Sequence, residues 1–253
     1  MNKQSGPIKI QATINDLTYY KRKGEYLVKS KSSVSSKRLK YSPEYAALRQ
    51  HQQDFGLAST GGKLIRLAFA PLIAPVADFN CVSRLTANVL KVLQSVQANP
   101  SGKRNILDGD LNMLKGFEFN AQCGLSQVLR KSIKLTANAG NVSVSIEIPE
   151  FVPSRHLKSP QVSSHFQMIL GMAATDFNNA SYQSAFAETA QMPVKSSLGN
   201  TLSITCALGE MTSDPVLIVV GMRFSQLNSV VYEPVLNSGY QALSIVEVLK
   251  SGI

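Results

Sequence analysis

The chain has 253 residues, 44% of them apolar, and a formal net charge of +10, so it is globular, with room for one large domain or two small ones. No run approaches the roughly 18 consecutive apolar residues of a spanning helix, and the start, MNKQSGPIKIQATIND, lacks the apolar core of a secretory leader, which points to a cytoplasmic protein with no membrane span. Cys81, Cys123 and Cys206 are odd in number and far apart, a pattern of reduced, buried thiols rather than a disulfide framework.

The charge is lopsided. Residues 1–66 hold thirteen Lys and Arg against four Asp and Glu, while the remainder holds thirteen against twelve. Such a field attracts polyanions or acidic protein faces and is weakened by salt.

In chain order, PIKIQATI, LTYYKR and EYLVKSK read as strands separated by the turn pairs ND and KG, a small β-meander. In a pleated strand Leu17, Tyr19 and Lys21 share one face and Thr18, Tyr20 and Arg22 the other. A sheet of this size is marginal alone and leans on something else. A polar, basic connector, SSVSSKRLK, follows.

The period then becomes helical. SPEYAALRQHQQDFG has Ser42 as cap, Pro43 at the first position and Gly56 as its expected stop. LASTGGKLIRLAFAPL predicts a second helix that packs closely through small residues. CVSRLTANVLKVLQSVQ predicts a third, with Val82, Leu85, Val89, Leu93 and Val96 on one stripe. NPSGKRN ends it, and LDGDLNMLKG adds a short turn.

From Phe117 the period switches to two. Strands are expected at FEFNA, SIKLTA, NVSVSIEI, HFQMILGMAATD, SYQSAFAETA, NTLSITCALG, PVLIVVGMRFSQ and YQALSIVEVLK, with Gly221 at a bulge or close contact. The fold class expected is mainly β with a small α segment (α+β): a basic meander and arm over residues 1–41, a helical segment over 42–116, and an antiparallel β-sandwich or jelly-roll-like domain over 117–253.

Motifs for chemistry are weak. GLASTGGKLIR resembles a phosphate loop, but Leu57 stands where the first glycine belongs and Leu64 follows Lys63 in place of Ser or Thr. His51, His156 and His165 have no cysteine or histidine at zinc-ligand spacing. Ser163, Ser164 and His165 are adjacent without a nucleophile elbow. Asp108, Asp110 and Glu118, and Glu147 with Glu150, form carboxylate groups, of which Asp108 and Asp110 suit a turn or helix cap. No catalytic residue, cofactor or metal is therefore expected.

The basic arm remains. Lys21, Arg22, Lys23, Lys29, Lys31, Lys37, Arg38 and Lys40 are interleaved with Tyr19, Tyr20, Tyr26 and Tyr41. As a nucleic-acid grip the cations would meet phosphates and the tyrosines would stack on bases. As an interface element the same residues stay hydrated and guard a strand edge.

GPIKIQATINDLTYYKRKGEYLVKSKSSVS, DFGLASTGGKLIRLAF, SRLT and GKRNILDGDLNMLKGFEFN resemble an uncharacterised family of basic bacterial proteins over roughly residues 6–120. The resemblance implies a bacterial, non-secreted protein and carries over no catalytic residue. The reading favoured by the sequence is a non-enzymatic structural or assembly protein of the shell- or filament-subunit type. It would self-associate as a homo-oligomer, or dock on an acidic protein surface, through its basic N-terminal strands. The alternative is a sequence-tolerant nucleic-acid-binding protein.

Overall fold

The computed structural model describes residues 2–31, 34–96, 101–138, 143–197, 199–209, 213–236 and 239–249. Parts of five sequence expectations lie outside these residues: Ser32 and Ser33 of the connector, Gln97 of the third helix, Asn99 and Pro100 after it, Asn141 and Val142 of NVSVSIEI, and Lys250 of YQALSIVEVLK. The chain forms two compact units, residues 1–51 and 52–253, and is α+β, mainly β.

The first unit is a four-stranded antiparallel sheet of order β1-β4-β3-β2, from β1 (Asn2–Lys3), β2 (Ala12–Ile14), β3 (Leu17–Arg22) and β4 (Glu25–Ser30). The two turns fall where ND and KG predict them. Lys23 and Gly24 have φ of 51° and 82°, the paired left-handed residues that let a two-residue turn follow the twist of its strands. Of PIKIQATI only the last three residues are strand. The connector departs from expectation: Ser36–Tyr41 is a helix, α1, capped by the Ser35 side chain, which accepts from Arg38 N–H.

A single helix, α2 (Ala46–Ala68), runs through Gly56, the expected stop, and joins the two helices that the sequence separates. Tertiary packing overrides the glycine penalty here. A Cβ on Gly61 would lie 2.5 Å from Ile106 Cδ1 and 3.3 Å from Val89 Cγ1, so the bare backbone lets the next helix approach. That helix is α4 (Cys81–Gln94), reached through the short α3 (Ala70–Ile73). Its buried stripe is Cys81, Leu85, Val89, Val92 and Leu93, and Val82 lies outside it, exposed. Asp54 of α2 is fully buried and holds the 101–110 segment by accepting from Gly102 N–H and Arg104 Nη1, each at 2.9 Å. A 3-10 turn, Leu111–Leu114, is capped by Asp110, as its sequence suggests.

The rest of the second unit is two antiparallel sheets. One has order β10-β6-β5, from β5 (Lys134–Asn138), β6 (Ser143–Phe151) and β10 (Asn200–Ala207). The other is built on β7 (His165–Asp176) and β11 (Val216–Asn228), which pair from Val216–Ala174 to Ser225–His165. β8 (Ser181–Glu188) and β9 (Met192–Pro193) pair with β7, and β12 (Val231–Pro234) and β13 (Ala242–Leu249) pair with β11. Two short helices, α5 (Leu125–Val128) and α6 (Pro153–His156), complete the unit.

One core, with Ile146, Ile148, Phe166, Met168, Leu170 and Ile218, lies between the sheets. A second, with Ile65, Phe69, Leu85, Val89, Val219 and Ile245, lies between the helices and the opposite face of the larger sheet. The helices of this unit thus share a core with its sheet, and β7 and β11 are covered on both faces, which explains their long apolar runs.

FEFNA is not a strand. Phe117 and Phe119 point inward as the alternation predicts, but the segment meets β13 through one bridge, Glu118–Ser244. Gly221 is the close contact expected, since a Cβ there would lie 2.8 Å from the Ala242 carbonyl.

Candidate partner interface

The residues expected to meet a partner lie in the first unit, where the β3–β4 register decides their directions. Cross-strand partners share a face, so Leu17, Tyr19, Lys21, Tyr26, Val28 and Ser30 stand on one side and Thr18, Tyr20, Arg22, Glu25, Leu27 and Lys29 on the other. β2 adds Ala12 and Ile14 to the first side and Thr13 to the second.

The first side is an apolar strip bordered by a cation. Ile14 and Leu17 are 47% and 40% exposed, and Tyr19 and Val28 are half-buried beside them. Lys21 closes the strip, with its ammonium 5.2 Å from the centre of the Tyr26 ring. On the second side Lys29 lies 5.6 Å from the centre of the Tyr20 ring, and Lys3 pairs with Glu25 at 2.6 Å. Both contacts follow from the register, one as a direct pair and one as a diagonal. Lys23 occupies the hairpin tip, and Lys31 follows β4, its N–H donating to the Asp16 carbonyl at 2.6 Å.

Lys37, Arg38 and Lys40 sit on α1, which buries nothing. Arg38 Nε donates to Glu44 Oε1 at 2.7 Å, and this bond is the main reason its pKa is pushed up from an already high value. Arg49 ties the segment together by donating to the carbonyls of Leu39 and Ser42. The cations therefore do not form one patch. They are divided between two sheet faces, a turn and a separate helix.

Among the described residues of this unit only Leu27 is buried. Residues 1–51 also carry eleven Lys and Arg against three Asp and Glu, a net of +8. The unit is thus a charged, edge-open sheet with almost no core. The residues missed by sequence reasoning are apolar: Ile14 and Leu17 here, and the β11–β12 hairpin in the second unit, where Val230, Val231 and Tyr232 are 87%, 58% and 42% exposed. The signal for that hairpin is NSVVYEP, a polar turn beside a β-branched pair and an aromatic.

Elsewhere the ionisable groups are engaged in packing. Asp78, on the turn before α4, bonds Arg84. Burial pushes its carboxyl up, but hydrogen bonds from the Ala121 and Asn80 N–H groups and from Arg84 outweigh that and leave it low. Arg84 also donates to the carbonyls of Glu118 and Phe119 and stacks on Phe117. His156 Nδ1 accepts from Val152 N–H, and burial lowers its pKa. His165 bonds Ser164 Oγ at 2.9 Å and meets the edge of Tyr232. The three cysteines are buried and free, and burial pushes each thiol up. Gly61, Gly62 and Lys63 of the phosphate-loop-like stretch lie inside α2, where the backbone amides are committed to the helix. Among the described residues no group of three His, Cys, Asp or Glu is placed to hold a metal ion, and no helix is long and apolar enough to cross a membrane.

No known family, no curated protein and no solved structure matches the chain.

Proposed function

We propose that this chain is a non-enzymatic assembly subunit that attaches to its partner, or to copies of itself, through the N-terminal sheet. The observation that carries this reading is a sheet that leaves Ile14 and Leu17 in solvent and buries only Leu27 among its described residues. A four-stranded sheet gains stability chiefly by covering an apolar face, and docking supplies that cover. The cations fit this role, since lysines at strand edges discourage unspecific pairing.

A polyanion is the second reading, favoured by the net +8 of residues 1–51. Against base stacking, the rings of Tyr20 and Tyr26 are each approached by a lysine ammonium, so such binding would rest on phosphate contacts and fall steeply with salt.

Light scattering on the full chain and on the double variant Ile14→Thr, Leu17→Thr separates the readings. Threonine keeps strand propensity and removes the apolar strip. Assembly weakened in the variant supports attachment through the sheet. A mass distribution unchanged from wild type refutes it, and nucleic-acid binding that survives the substitutions while falling with salt favours the polyanion.

A further inference from the structure

Building on the assembly reading, we propose that the occupant of the N-terminal sheet is the β11–β12 hairpin of a second copy, with β12 added to the open β2 edge, so that copies join head to tail.

Both halves of this contact are present in the chain. β2 ends the first sheet and β12 ends the larger one, and an unpaired strand edge is a template for another strand. Each edge lies beside exposed apolar side chains: Ile14 and Leu17 near β2, and Val230, Val231 and Tyr232 in the hairpin. In β12, Tyr232 faces opposite to Val231 and Glu233 by alternation. Adding β12 to β2 with Tyr232 on the side of Ile14 extends the apolar strip by one strand and turns Val231 and Glu233 to the side that carries Arg22 and Lys29, where Glu233 meets the cations.

Charge selects this partner over a symmetric one. Two N-terminal units facing each other would oppose +8 to +8, an arrangement penalised by like-charge repulsion. The paired part of the hairpin, Ser225–Pro234, lies in a stretch with no lysine or arginine from residue 224 to 249, while Glu233 and Glu247 are acidic. Different patches on the two copies make the contact heterologous.

A heterologous contact has a test that a symmetric one fails. In full-length protein, Ile14→Lys with Leu17→Lys disables the sheet side, and Val231→Lys with Tyr232→Lys disables the hairpin side. All four positions are exposed, and circular dichroism checks that each variant folds. Sedimentation velocity on the wild type is expected to show oligomers beyond the dimer that grow with concentration. Each variant alone is expected to associate at least about tenfold more weakly, and the equimolar mixture to form a heterodimer through its one intact pair of surfaces. A wild type monomeric at every concentration, or a mixture that stays monomeric, overturns the proposal. So does a hairpin variant that assembles like wild type, although the sheet then keeps its role as the attachment surface. A sheet variant that assembles like wild type overturns that role as well.

Discussion

Glu118 shows how a single residue can be legible in type and illegible in role. The sequence places it in a carboxylate group with Asp108 and Asp110. In the structure Asp110 caps a 3-10 turn, while the Glu118 carboxylate accepts from Leu125 N–H at 3.0 Å. Burial pushes its pKa up, against the Leu125 N–H, the Ser244 hydroxyl and Arg84, which favour the charged form. Between the ordinary glutamate value of about 4.3 and the raised folded value, the folded state binds more protons than the unfolded one, so stability falls as pH rises. Glu118→Gln is expected to abolish that fall. Urea unfolding should find the variant at least as stable as wild type at neutral pH, with the two converging below the glutamate range. Sequence cannot foresee this, because burial of residue 118 depends on a bridge to Ser244, far along the chain.

At the scale of elements, turns and strong periodicity were readable and tertiary overrides were not. The ND and KG turns, the long strands β7 and β11, and α4 lie where composition puts them. The joined helix α2 does not, since the propensity of Gly56 is local while the packing that holds the helix together, at Gly61 against Val89 and Ile106, is not. This difference yields opposite outcomes for two glycines in one helix. Gly56 is exposed, with nothing within 4 Å of a Cβ built there, so Gly56→Ala should stabilise by about 0.5–1 kcal/mol. Gly61→Ala forces a methyl against Ile106 and should destabilise by about 1–3 kcal/mol. Thermal unfolding of the two variants reads both signs. The candidate interface was half legible: its cations and tyrosines stand out in the sequence, but Ile14 and Leu17 look like ordinary strand residues until the uncovered face is seen.

The whole molecule divides into a charged sheet that buries little and a larger body with two apolar cores. Local opening free energy tracks buried apolar contact. Amide hydrogen exchange on the full chain at low concentration should therefore find β3 and β4 exchanging through local opening, while the amides of β7 and β11 wait for global unfolding. Equal protection in the two units would contradict this division. The body was anticipated as a sandwich because period-two alternation survives wherever one strand face is less buried than the other. That the helices would share the larger sheet's second face was not readable, since a strand buried on both sides shows a plain apolar run without naming what covers it.

β11 is the axis of that body, with β7 along one edge and β13 followed by β12 along the other. During synthesis, residues 242–249 leave the ribosome after β7 and β11, so for that interval Val216–Met222 present an unoccupied apolar edge. The nascent chain therefore passes through a sticky stage that β13 ends, and a ribosome stalled before residue 242 would release a product prone to clump.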